Sequence, residues 1–140
     1  MAKKTLDIEY DYDFQLIGIS SHIKDYRLCW AINSASIGIN FIKTEDFKIS
    51  LKNETENNFY SQYVYNNEDA GLEFILISNR GTKNYLLPEI KQADFVLIIK
   101  GNFAEKQTEE LIKKLKTIPF VLTAFTIEAS ELKSKQNLIF

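Results

Sequence analysis

The chain of 140 residues has one cysteine, Cys29, and one histidine, His22. A lone cysteine forms no intramolecular disulfide, and a lone Cys/His couple makes no zinc set, so the fold must rest on its apolar core and a reducing compartment is expected. Glycine (five) and proline (two) are scarce, which excludes a collagenous or linker-like chain and leaves no glycine-rich loop to cradle a phosphate. The G-x-x-x-x-G-K-[ST], G-x-G-x-x-G, G-x-S-x-G and H-E-x-x-H signatures of common nucleotide-binding proteins and hydrolases do not occur. Long apolar runs are missing too. None exceeds five residues, as at Phe95 to Ile99, against about 18 for a membrane-spanning helix. After Met1-Ala2-Lys3-Lys4 the chain turns acidic without the apolar segment of a secretory signal, so a cytoplasmic protein with no membrane partner is expected. There is no excess of positive charge: 17 basic against 19 acidic side chains give a net charge of -2. That is the wrong sign for a binder of phosphate backbones and argues against nucleic acid as partner.

What is present is an ordinary soluble composition, 45% apolar and 26% charged, with ten Phe and seven Tyr. At this length one core is sufficient, so a single domain over 1–140 is expected, with an N-terminal extension over 1–12 and a C-terminal tail over 129–140. Leu6, Ile8, Tyr10, Tyr12, Phe14 and Leu16 alternate with acidic residues, and the period of two predicts a strand that enters the core near Asp13 and leaves near Ser20. Leu28, Ala31, Ile32 and Ala35 at helical spacing, with Gly38 as terminator, predict a helix from Ile23 to Ile37. A short strand over Phe47 to Leu51 and a loop over Lys52 to Asn58 follow.

Phe59 to Tyr65 and Leu72 to Ile77, joined by Asn66 to Gly71, predict a hairpin. A second turn, Asn79 to Thr82, leads into a strand at Tyr85 to Leu87, which Pro88 confines to an edge or a strand end. Ala93 to Ile99 is apolar on both faces, as a central strand is. Asn102 with Glu105 reads as a helix cap, followed by the row Phe103, Gln107, Leu111, Leu115 until Pro119 stops the helix. Glu109 with Lys113 and Glu110 with Lys114 mark its solvated face, so the lysines Lys113, Lys114 and Lys116 read as helix surface. A last strand spans Phe120 to Ile127. This order predicts an α+β fold: a single mixed, mainly antiparallel sheet with two helices packed on one face, the helix-linked strands crossing over right-handed.

The segment Leu87-Pro88-Glu89-Ile90-Lys91-Gln92-Ala93-Asp94-Phe95 resembles the signature of the IPExxxVDY family of short bacterial proteins. Pro88, Glu89 and Asp94 match it literally, while Leu87, Ala93 and Phe95 replace Ile, Val and Tyr. The likeness extends through Asp13-Phe14, Leu16 to Ile19, Lys24 to Trp30, Leu122 to Phe125 and Lys133-Ser134-Lys135. It singles out Pro88, Glu89, Lys91 and Asp94, with Asp25 and Arg27 in the second stretch, as motif or binding residues. It implies no catalytic residue, cofactor or metal.

Each candidate has a structural and a functional reading. Glu89 and Asp94 flank a turn into the central strand, where carboxylates can hold a cation or act as acid and base. The structural alternative, preferred here, has Asp94 accepting backbone N–H groups at the turn and Glu89 on the surface. Phe95 lacks the phenolic hydroxyl that the family signature carries. Cys29, four residues after Asp25 and close to His22, is expected as a core thiol rather than a nucleophile. Tyr26 and Trp30 are expected as packing residues. Carboxylates at Asp7, Glu9, Asp11 and Asp13 lie about 6.6 Å apart along one strand face, so two at most reach one cation and a solvated acidic face is expected. The function expected is a noncatalytic module that binds a protein, or a second copy of itself, through an exposed sheet edge or aromatic patch, with the Phe59 to Tyr65 stretch and the Leu138-Ile139-Phe140 ending as its surface. The alternative is a small-molecule sensor or enzyme built on Glu89, Lys91 and Asp94.

Overall fold

Apolar residues on both faces of Phe95 to Ile99 require cover on both sides, and the computed structural model provides it. It describes residues 14–50, 57–82, 84–128 and 132. Eight strands and two helices follow in the order β1 (Phe14–Ser20), α1 (Asp25–Ser34), β2 (Ile42–Lys43), β3 (Phe47–Ser50), β4 (Asn57–Tyr60), β5 (Gln62–Asn67), β6 (Leu72–Ser78), β7 (Phe95–Lys100), α2 (Glu105–Lys116) and β8 (Thr123–Ile127), with a 3-10 turn at Pro88–Ile90. Six strands form one sheet in the order β2-β5-β6-β7-β1-β8, and β3 pairs with β4 in a second, two-stranded sheet. Every ladder described is antiparallel. The fold is α+β.

The alternation of the central strands sorts side chains into two cores. On one face Ile17, Ile19, Phe74, Leu76, Phe95, Leu97 and Ile99 meet Leu28, Cys29, Ala31 and Ile32 of α1 and Leu111 and Leu115 of α2. Both helices therefore share one face, as the pattern predicts. On the other face Leu16, Ile75, Ile77, Val96 and Ile98 meet Tyr60 of β4, Leu86, Leu87 and Leu132, with Phe47, Ile49 and Ile90 packed alongside. Fully burying a Leu or Ile side chain is worth about 1.5–3 kcal/mol, and eight of the Leu and Ile residues of β1, β6 and β7 named here are at most 1% exposed. Strands β7 and β8 run in the same direction with β1 between them, so α2 spans a split crossover.

Several boundaries differ from expectation. Helix α1 stops at Ser34, because Ser36 adopts a left-handed φ of 55° before Gly38 does so at 90°. Asn33 then clamps the returning chain, accepting from the Phe41 N–H at 2.8 Å and donating to the Phe41 carbonyl at 3.1 Å. Asn57 and Asn58 are strand residues rather than loop, and Phe59 and Tyr60 belong to the second sheet instead of the hairpin, which starts at Gln62. Asn58 is buried and donates to the Tyr60 hydroxyl at 2.7 Å, so a turn-forming residue serves as a core hydrogen bonder. Helix α2 is not capped by Asn102. Its N-cap is Ala104, whose N–H donates to the Gln107 side chain at 2.9 Å. The acidic alternation over Leu6 to Asp13, most of the Lys52 to Asn58 loop and the Leu138 to Phe140 ending lie outside the described residues, as do residues 1–12 and all of 129–140 except the buried Leu132.

Candidate functional site

The Leu87 to Phe95 string is shaped by one residue upstream of it. Asn79 follows β6 and is completely buried. Its side-chain oxygen accepts from the Leu87 N–H at 2.7 Å, and its amide nitrogen donates to the carbonyls of Ile90 at 3.0 Å and Ala93 at 2.9 Å. Its backbone N–H donates to the Asp94 carbonyl at 2.9 Å, and its carbonyl accepts from the Leu86 N–H at 2.7 Å. One side chain thus satisfies three backbone groups that the turn leaves without ladder partners. It also explains why Tyr85 to Leu87 is no strand: the Arg80–Tyr85 bridge stands alone, the Leu87 N–H is turned inward to Asn79, and Pro88 opens the 3-10 turn.

Asp94 acts as a latch. Its carboxylate accepts from the Ser21 N–H at 2.8 Å, and its own N–H donates to the Ile19 carbonyl at 2.9 Å. Ser20 donates its hydroxyl to the Gln92 carbonyl, and Ser21 donates to the Phe120 carbonyl at 2.7 Å. The motif's Asp therefore ties the end of β1 to the start of β7. Pro88, Glu89 and Lys91 are exposed, and the Lys91 ammonium stands 5.7 Å from the Tyr85 ring centroid.

Beside this latch is an open depression of about 610 Å³, lined by Ser21, His22, Ile23, Lys24, Asp25, Ser61, Ser78, Arg80, Asp94 and Phe95. It brings together Asp25 and Asp94, two of the sequence-derived candidates, but not Glu89 or Lys91. Asp25 accepts from the Tyr63 hydroxyl at 3.0 Å. Burial, reinforced by the hydrogen bond and the negative charge of Asp25, pushes the Tyr63 phenol above its ordinary range, so Tyr63 stays a neutral donor. Cys29 is buried, and burial with the nearby Asp25 charge pushes its thiol up as well. That is the reverse of what a nucleophile needs. Among the described residues, no three His, Cys, Asp or Glu side chains gather into a metal-ligand group.

The most exposed large apolar side chains lie elsewhere. Ile42 on the short edge strand β2 is 71% exposed, Trp30 66%, Tyr26 60% and Leu122 60%, with Phe59 at 39% and Phe120 at 36%. At about 100° per residue, Tyr26 and Trp30 each lie about 160° around α1 from Leu28, the centre of its buried stripe. They are neighbours at i,i+4 and face solvent together. Arg27 connects them to the loop before β8, its guanidinium carbon 5.2 Å from the Phe120 ring centroid. The expectation that Tyr26 and Trp30 are packing residues is thus corrected. The expectation of an aromatic surface over Phe59 to Tyr65 is corrected in part: Phe59 is 39% exposed, but Tyr60 and Tyr63 are core residues at 2% and 6% exposure. The wheel of α1 held the signal: once Leu28, Ala31 and Ile32 define its inner stripe, the two aromatics must face outward. No comparable local signal marks Asn79, whose partners are 7 to 15 residues away.

No family model, no curated protein and no solved structure matches this chain. Among the described residues, no helix is long and apolar enough to cross a membrane.

Proposed function

We propose that this protein is a noncatalytic cytoplasmic interaction module that docks a protein partner on the outer face of α1. The observation that carries the reading is the cluster of Tyr26, Trp30 and Arg27 held outward on α1, extended by Phe120 under the Arg27 guanidinium. Tyr, Trp and Arg are the residue types that dominate interface hot spots. With an aromatic side chain offering about 150–250 Å², their exposed parts amount to a few hundred Å², the size at which a surface patch on a monomer commonly has a function. We also assign the chain to the IPExxxVDY family on its Leu87 to Phe95 string, with the motif in a structural role.

Trp30 is the only tryptophan, so it reports its own burial. We expect full-length protein to capture a defined set of proteins from a lysate of its source cells, the Trp30→Ala/Tyr26→Ala variant to lose that set with its melting temperature little changed, and a purified captured protein to shift the Trp30 emission to the blue. Identical capture by both proteins refutes the reading. A second reading, a small-molecule sensor, is favoured by the depression shared by Asp25 and Asp94 with Lys24 and Arg80. A ligand that binds only the folded state raises its melting temperature, so a metabolite whose stabilisation disappears in Arg80→Ala supports this second reading.

A further inference from the structure

The two edges of the six-stranded sheet are protected differently. At one edge β2 is only two residues long, and its Lys43 is held by Asp46 at 2.8 Å and by the Thr44 carbonyl. A short strand bearing a lysine is a common way to discourage edge-to-edge pairing. At the other edge β8 runs for five residues, Thr-Ala-Phe-Thr-Ile, and no formal charge occurs from Pro119 to Ile127. Among the described residues its one ladder partner is β1. A five-residue edge without lysine, internal proline or charge is a template for another strand.

The pairing groups can be read from the ladder. The Ser20 carbonyl accepts from Leu122 and the Ile19 carbonyl from Asp94, so the even residues of β1 face β8 and the odd ones face β7. Phe125 and Ile127, opposite Gly18 and Leu16, turn their backbone groups inward. By the alternation of antiparallel ladders, Ala124 and Thr126 direct their N–H and C=O groups outward. The strand is firmly seated, with Ala124 in the core on the helix side and Ile127, with Phe125 against it, in the core on the other.

We propose that a second copy of this chain docks antiparallel along β8 and continues the sheet through the interface. This rests on the reading of the protein as an interaction module and names one of its partners. A copy fits because the strand is complementary to itself. A two-fold axis at Phe125 sets Ala124 opposite the partner's Thr126 and Thr123 opposite the partner's Ile127, pairing β-branched and small residues with no charge facing a charge. Each chain carries a net charge of -2, and this uncharged strip is where two copies can approach without repulsion. Two outward residues per strand make about four backbone hydrogen bonds. The strip is smaller than the roughly 800 Å² per partner of a standard interface, so the dimer should be concentration-dependent.

Sedimentation velocity on the full chain from micromolar to several hundred micromolar tests this. The expected result is a rise from 16.2 kDa toward twice that mass, and at least a tenfold weakening in Thr123→Lys/Thr126→Lys, where both exposed positions gain the charge that natural edges use. Hydrogen exchange supplies a readout that needs no variant: Ala124 and Thr126 amides should gain protection as concentration rises. A mass of one chain throughout, a dimer unaffected by the lysines, or Ala124 and Thr126 amides already protected in dilute monomer each overturn the proposal. Trp30→Ala separates the two readings. A monomer that still binds partners through Trp30 ends this inference alone, whereas an intact β8 dimer with no Trp30-dependent capture ends only the docking on α1.

Discussion

Replacing Asn79 by Ala tests the account of the motif loop most directly. The side chain is fully buried and satisfies the Leu87 N–H and the carbonyls of Ile90 and Ala93. Alanine leaves all three without that partner. A buried polar group stripped of its hydrogen bond costs about 1–3 kcal/mol. Leu87 and Ala93 are wholly buried and Ile90 partly so, so two full penalties and a fraction give about 3–5 kcal/mol, a large share of the roughly 5–15 kcal/mol that stabilises a typical domain. With a urea slope of about 1–3 kcal/mol per molar, the unfolding midpoint should fall by about 2 M. Asn79→Asp sharpens the test. It retains an acceptor for Leu87 but sets a carboxylate against two carbonyls, so the buried acid is held protonated and its pKa is raised. A group with a raised folded-state pKa stabilises below its unfolded value and loses that contribution as pH rises. Asn79→Asp should therefore be closer to wild type at pH 4 than at pH 7. Urea titrations of the three proteins at both pH values measure this. A loss below about 1 kcal/mol for Asn79→Ala, after allowing for water filling the site, would refute the idea that this side chain organises the loop.

Two further results are expected. The Tyr63 phenol is raised above its ordinary value of 10.0 by burial and Asp25, so its contribution is complete below pH 10 and declines as pH climbs beyond it; Tyr63→Phe should lose about 1 kcal/mol at pH 7 and show a shallower alkaline decline than wild type in thermal melts. A Cβ on Gly18 would lie 2.7 Å from the Phe125 ring, so Gly18→Ala should cost about 1–3 kcal/mol, and Phe125→Leu in the same chain should recover part of it; additive losses in a double-mutant cycle would disprove the contact.

The elements legible in the sequence are those whose signal is local and repetitive. Val96 and Ile98 alternate with Phe95, Leu97 and Ile99 in a run apolar on both faces, and β7 is buried on both faces. The Asn66 to Gly71 turn was equally readable, since Gly71 takes a φ of 68°. What is not legible depends on which of several available partners a polar group takes in the fold. Asn58 looks like a loop residue until Tyr60 and Thr82 are seen to satisfy it. Asn102 looks like a better cap than Ala104, but Gln107 reaches back to the later position. Of the candidate residues, Asp94 accepts a backbone N–H as expected, but from Ser21 at the end of β1 rather than from its own turn, and Asp25 lies near it only because α1 begins beside the end of β7's preceding turn.

The place of β1 bears on how the molecule is made. The first of the described strands finds its two neighbours, β7 and β8, only after residues 95–100 and 123–127 have been synthesised. A nascent chain that reaches the end of β6 can close the β5–β6 hairpin but cannot seat β1, so Leu16, Ile17 and Ile19 must wait, greasy and unpaired, for β7 and β8 to arrive. Because both ladders of β1 close over long stretches of sequence, folding should be slow for a chain of this size.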